Sequence, residues 1–209
     1  MQAQPSMSIL KHASYGKTDF QILKRETLYK GFVQVEKLTV EHRLFDQSAY
    51  IQPPIERELV HRHEAAGVLL YDDQHQCFGL IEQFRVGAIQ HGDSPWHLEV
   101  IAGLIDEGES PEQCIRREAV EESGCHVQDL THLFSFYPSS GASSEYFHLY
   151  AAETDLSDKK GNFGVANEGE DIKLHIIAYQ DLAALMAQGR LQNAPVIMAL
   201  QWLQQHLKT

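Results

Sequence analysis

Apolar and polar residues alternate along Phe32-Val-Gln-Val-Glu-Lys-Leu-Thr-Val40 with the two-residue period of a half-buried strand. The run Phe20-Gln-Ile-Leu-Lys24 predicts a partner strand, with Gly31 as the break between them. Ile55-Glu-Arg-Glu-Leu-Val60 predicts a third strand, beyond a loop whose Pro53-Pro54 cannot lie in a central strand. Few apolar positions are available to this segment, so it must dock on a larger body or on a second copy of the chain. From Ala65 the pattern changes to near-continuous apolar runs. Ala65–Tyr71 and Cys77–Phe84 flank the polar stretch 72–76 and predict a hairpin. Further strands are expected at His97–Ile101, Leu133–Tyr137, Phe147–Ala152 and Ile172–Ala178. Helical signals follow Ser110, span Asp181–Gln188 up to Gly189, and close the chain. There Asn193 is the expected cap, and Val196, Leu200, Leu203 and Leu207 share one face. The expected fold is α+β: a mixed β-sheet sandwiched between helices over residues 61–209, with a small N-terminal antiparallel β subdomain over residues 1–60.

Composition adds boundaries. A chain of 209 residues with 43% hydrophobic and 22% charged residues is ordinary for a globular protein. No apolar run reaches the roughly eighteen residues of a membrane span, and the first residues lack a secretory signal's order. Three cysteines without a Cys-x-x-Cys pair argue against a disulfide framework, so a cytoplasmic location is expected. The net charge of −12 leaves no basic footprint for nucleic acid. An anionic substrate must therefore be met locally, by a metal or by a few arginines.

The acids concentrate informatively in one place. After the loop Gly103–Glu109, Ser110 and Gln113 form a capping box, Pro111 sits at the first turn and Gly124 ends the helix. Glu118, Glu121 and Glu122 stand at i, i+3 and i+4, so three carboxylates share one face. Like charges so spaced repel by roughly 0.2–0.5 kcal/mol per pair. A helix that accepts this repulsion is either merely solvated there or expects a cation. Hard divalent cations take oxygen ligands and bridge carboxylates to phosphates.

The same stretch carries a signature. Gly103, Glu109, Arg117, Glu118, Glu121, Glu122 and Gly124 match every fixed position of the Nudix hydrolase box, with the small Ala119 and Cys125 in its two aliphatic slots. The chain resembles that family, and over nearly its full length it is similar to the bacterial ADP-ribose pyrophosphatases within it. Arg25–Phe32 resembles their N-terminal strand entry. Leu80-Ile-Glu-Gln-Phe-Arg85 resembles a strand ending in a phosphate-contacting arginine, and Asn193–Leu203 resembles their closing helix.

The resemblance implies a Nudix fold and Mg²⁺-dependent hydrolysis of ADP-ribose to AMP and ribose 5-phosphate. Two or three ions are implied, with Mn²⁺ as a substitute. Glu118 and Glu122 become the main metal ligands, assisted by Glu121 and the carbonyl of Ala102, while Arg117 and Glu109 brace the box. In the acidic loop Asn167–Asp171, Glu168 is implied as the catalytic base and Glu170 as a further ligand. A homodimer is implied, with the N-terminal unit crossing to the partner. Each substrate site would then take Phe32, Val33, Arg57 and Glu58 from one chain, and Arg62, Arg85 and Leu104 from the other. Arginine suits bidentate phosphate contact and Phe32 offers an aromatic face for adenine.

Ser139 and Glu145 are retained from the family's substrate loop. The triplet Ser139-Ser140-Gly141 departs from the subgroup's Ser-Pro-Gly, which weakens the substrate assignment without touching the hydrolase assignment. Two other functions remain open: pyrophosphatase action on another nucleotide sugar such as GDP-mannose, and a non-catalytic nucleotide-sensing module. The second is disfavoured by the intact box glutamates. His61-x-His63 lacks an evident third metal ligand.

Overall fold

The structure, a computed structural model, describes residues 13–45, 49–165, 167 and 169–208. Contacts divide them into two units: residues up to Arg62 with Ser139–Ser144, and His63–Pro138 with the residues from Glu145 on. The first is an antiparallel sheet of β1 (Phe20–Lys30), β2 (Gln34–His42) and β3 (Ile55–His61) in that order. β1 is longer than its apolar run suggested, because its pairing with β2 continues through two register shifts as far as Lys30↔Gln34. Every residue of β1 is exposed, including Phe20, Ile22, Leu23, Leu28 and Tyr29. The one buried acid among the described residues of this unit, Glu36, accepts from Arg25 Nη1 at 2.9 Å and pairs with His61 Nε2 at 2.8 Å. His61 is thus held by a carboxylate.

The second unit is built on β4 (Ala65–Asp72), which is buried along its whole length. Residues alternate between its two faces. Ala65, Leu69 and Tyr71 join one core, and Ala66, Val68 and Leu70 join another. A hairpin leads to β5 (Cys77–Phe84), and then come β6 (Trp96–Glu99), β7 (Ile101–Leu104), β8 (Thr131–Phe136), β9 (Phe147–Glu153), β10 (Gly161–Phe163) and β11 (Ile172–Ala178). The order is β10-β11-β5-β4-β9-β8, with β6 beside β5 and β7 beside β4. Only the β4–β9 pairing is parallel among the described strands, so the sheet is mixed.

Helix α1 (Pro111–Ser123) covers one face through Cys114, Ile115 and Ala119. α2 (Leu182–Ala187) and α3 (Ala194–His206) cover the other through Leu182, Val196, Ala199, Leu200 and Leu203. The expected α+β sandwich is present. No helix among the described residues is long and apolar enough to cross a membrane.

Three local expectations are corrected. The run His97–Ile101 forms no single strand: the chain leaves β5 at Glu99, buries Val100, and joins β4 from Ile101. The long loop before β11 contains β10, because Phe163 packs with the core beneath α1. Asn193 stands at the start of α3, but its side chain makes no cap hydrogen bond.

Candidate active site

Helix α1 forms as its ends dictate. Gln113 N–H donates to Ser110 Oγ at 3.3 Å, and Ser110 N–H donates to Gln113 Oε1 at 2.8 Å. Such a cap contributes about 1 kcal/mol. Gly124 closes the helix at φ 64°, a left-handed turn that disfavours a β-carbon. The helix lies against β7, and this fixes where its acids go. Glu122 is 2% exposed, and its Oε2 accepts from the Ala102 N–H at 3.0 Å. Glu118 is also buried, with its carboxylate over Gly103. Any side chain at residue 103 would overlap that carboxylate, which explains the glycine at the start of the signature.

Arg117 organises the loop. Its Nε and Nη2 donate to the two oxygens of Glu109 at 3.1 and 3.0 Å, and Nη2 also reaches the Leu104 carbonyl at 3.1 Å. Nη1 contacts Glu118 Oε1 at 2.5 Å and Glu121 Oε2 at 3.2 Å. Glu109 also accepts from the Asp106 N–H at 3.0 Å, and the Arg117 guanidinium holds its carboxyl below the usual range. Cys114 lies beneath the loop with Sγ 3.6 Å from the Gly103 carbonyl and 3.5 Å from that of Leu104. Burial pushes its thiol up to about 12, so it packs as an inert neutral group.

The segment before β11 is fastened to the end of α1. Gly164 N–H donates to the Glu121 carbonyl at 3.2 Å, and Lys159 Nζ reaches the Gly124 carbonyl at 2.9 Å. This brings Glu170 close enough to disfavour the charged forms of both Glu118 and Glu122. Glu170 Oε2 accepts from the Val165 N–H at 3.0 Å. Glu168 lies outside the described residues.

Arg85 follows β5 and gives Nε and Nη2 to Glu99 Oε2, at 3.1 and 2.7 Å. Glu122 and Glu170 act on it electrostatically, so it belongs to the same neighbourhood. Its Nη1 has no hydrogen-bond partner among the described residues.

The acid cluster is poised for a cation. Burial pushes Glu122 up to about 9, an effect the Ala102 N–H opposes and Glu118 and Glu170 reinforce. Burial likewise raises Glu118, against the pull of Arg117. Ionised carboxylates with little water need positive charge. Arg117 is already shared among three acids, so a hard divalent cation with oxygen ligands fits what these residues lack.

The remaining predicted substrate residues lie mostly in the first unit. Phe32 is 84% exposed in the β1–β2 turn, with partly buried Val33 beside it. Arg57 and Glu58 are exposed on β3, and Arg57 Nη1 donates to the Glu56 carbonyl at 2.7 Å. Partly buried Arg62 gives its backbone N–H to Ser144 Oγ at 2.9 Å. Exposed Ser139 closes a turn, its carbonyl accepting from the Ser143 N–H at 3.1 Å. Glu145, partly buried, enters β9 in the second unit.

Sequence reasoning missed Glu99, the buried partner of Arg85. The signal was present: an acid inside the apolar run His97–Ile101 needs a cationic partner. It also missed Asp72, His75 and Asp155, whose ligand atoms lie within 4.8 Å of one another. Asp72 there accepts from the N–H groups of His75 and Leu156 at 2.9 and 2.8 Å, tying the hairpin turn to the segment after β9.

Known proteins resemble the chain along most of its length. The chain is 38% identical to an "ADP-ribose pyrophosphatase" of Haemophilus influenzae over 203 residues, covering 95% of this chain and 91% of that protein. It is 38% identical over 193 residues to the protein of that name from Escherichia coli K12, covering 92% and 91%. It is 37% identical over 182 residues to a "GDP-mannose pyrophosphatase" of Yersinia pestis, covering 87% and 89%. A solved structure described as "ADP compounds hydrolase" superposes with TM-score 0.68 at 23% identity, over 93% of this chain and 97% of that one, a likeness of fold. A family model for the NUDIX domain matches residues 61–200, the stretch that carries the buried acids, Arg117 and Arg85, and the chain belongs to that family.

Proposed function

We propose that the chain hydrolyses the pyrophosphate linkage of ADP-ribose to AMP and ribose 5-phosphate, using Mg²⁺. Glu118, Glu121, Glu122, Glu170 and the Ala102 carbonyl would hold two or three ions, and Mn²⁺ would substitute. The observation that carries the reading is the buried Glu118–Glu122 pair, with Glu170 and the Arg85 guanidinium in its electrostatic reach. When bound, the metal supplies charge neutralisation for the diphosphate and an activated water.

The chain's own residues do the rest. Arg117 holds the Glu118 and Glu121 carboxylates in place through Nη1. Arg85, oriented by Glu99, offers Nη1 to a phosphate oxygen. Glu168 takes the proton of the attacking water as general base. Exposed Phe32 stacks on adenine, and Val33, Arg57, Glu58, Arg62, Leu104, Ser139 and Glu145 complete the substrate contacts.

A homodimer is part of the proposal. The support is the exposed apolar set on β1, Phe20, Ile22, Leu23, Leu28 and Tyr29, which a second copy would cover. Three free, buried cysteines suit a reducing cytoplasm. Incubating the purified protein with ADP-ribose and MgCl₂ should release AMP, followed by chromatography. Absence of AMP at every divalent-metal concentration overturns the reading. The similarity to the "GDP-mannose pyrophosphatase", nearly as high as to the ADP-ribose enzymes, makes GDP-mannose the competing substrate, and it belongs in the same assay.

A further inference from the structure

Asn193 breaks a local rule. It stands just before α3 in extended backbone, φ −110° and ψ 129°, where an asparagine ordinarily turns Oδ1 onto an N–H of the first helical turn. Pro195 in that turn has no N–H to offer, and the Asn193 side chain leaves the N–H of Val196 alone as well. Nδ2 instead donates to Glu99 Oε1 at 3.1 Å, while Oδ1 is buried with no donor among the described residues. Turning the amide over would set Oδ1 against the carboxylate, so Glu99 dictates the orientation.

A buried carbonyl without a donor is unfavourable, and it persists only where something else over-determines it. Here that is the other end of Glu99. Its second oxygen, Oε2, takes both Nε and Nη2 of Arg85. The remaining buried side-chain atoms without partners among the described residues are Gln83 Nε2 and His97 Nε2. They belong to directly opposed residues of β5 and β6, two residues before Glu99 on its strand. In a strand, His97 and Glu99 point to the same face, so these atoms share the side of the β5–β6 pair that carries Glu99.

We propose that Asn193 is a positioning residue for Arg85. Through Glu99 it fixes the guanidinium so that Nη1 is presented to a phosphate of the substrate, at the expense of capping α3. This rests on the reading of Arg85 as a phosphate-binding group.

Asn193→Ser separates positioning from helix capping, because a serine hydroxyl can cap the Val196 N–H and is too short to hold Glu99. In the full-length protein with Mg²⁺, the variant is expected to melt no lower than wild type. Its KM for ADP-ribose should rise about tenfold with kcat nearly unchanged, the pattern of lost uniform binding. The Arg85 Nε–H resonance of the substrate-free protein should shift as its hydrogen bond to Glu99 loosens. Arg85→Ala should raise KM further, and adding Asn193→Ser to it should change nothing more. If Arg85→Ala raises KM while Asn193→Ser leaves it at the wild-type value, the positioning role is overturned and the phosphate role of Arg85 stands. If Arg85→Ala leaves KM unchanged, the phosphate role fails and takes this proposal with it.

Discussion

Gly103 and Glu118 claim the same space: a β-carbon at residue 103 would fall on the Glu118 carboxylate. Strand and helix therefore approach closely enough to bury that carboxylate only because residue 103 has no side chain. In Gly103→Ala the backbone fits but Glu118 must swing away from Arg117. Misplacing one reacting or ligating group by about 1 Å can lower turnover about 100-fold. We expect a loss of that order in kcat, with a weakened divalent-metal response by titration calorimetry. Wild-type turnover in this variant would remove Glu118 from the proposed ligand set.

Glu122 makes stability depend on pH in a defined direction. Its folded-state pKa is raised from 4.5 to about 9 by burial, so between those values the folded chain keeps a proton that the unfolded chain releases. The stabilising contribution is complete below 4.5 and is lost as pH rises toward about 9. Metal-free protein should therefore melt lower at pH 8 than at pH 6, and Glu122→Gln should flatten that slope. Since a ligating carboxylate must be ionised, metal binding should also release protons in this range. Scanning calorimetry of both proteins in a chelating buffer, from pH 5 to 9, makes the comparison; equal slopes would show that Glu122 is already ionised.

How much of this was legible beforehand depended on whether local sequence carried the information. The Ser110–Gln113 box, Gly124 and the spacing of Glu118, Glu121 and Glu122 are local, and the structure places them as expected. The strand Ile172–Ala178 and the hairpin ending at Phe84 likewise follow from apolar period. The switch at Val100 could not be read, because β6 and β7 differ only in which neighbour they pair with, and that is decided by tertiary contact. Asn193 misled for a similar reason. Its type and position favour a cap, and a carboxylate 94 residues away in sequence outcompeted the helix for its amide.

Arg117 serves Glu109, Glu118 and Glu121 with three different nitrogens, which lysine cannot reproduce. Arg117→Lys keeps the charge and loses the fork. We expect about 2 kcal/mol of destabilisation from the lost charge-assisted bonds. The metal concentration needed for half-maximal activity should also rise, because Glu118 and Glu121 lose their brace. Urea denaturation and a Mg²⁺ titration of activity test the two halves separately. An unchanged Mg²⁺ response would confine Arg117 to holding the loop.

Glu168→Gln tests the proposed proton acceptor apart from the metal site. If Glu168 takes the proton of the attacking water, its loss should slow hydrolysis roughly 100- to 10,000-fold. Glu170, two residues on, remains to contact the cluster, so metal binding by calorimetry should match wild type. Turnover within a factor of about two of wild type would move the base to another residue.

The proposed dimeric site makes a prediction that no single variant can test. If Arg57 of one chain serves the acid cluster of the other, Arg57→Ala and Glu118→Gln each damage both sites of a homodimer. A heterodimer of the two variants behaves differently. One site then combines both lesions, while the other joins an intact Arg57 to an intact Glu118. Co-expression with two tags and sequential purification isolates that heterodimer. Under closed two-fold symmetry it should recover about half of wild-type activity. If each site instead draws Arg57 and Glu118 from the same chain, both sites of the heterodimer carry a lesion, and its activity should stay at the mean of the two parents.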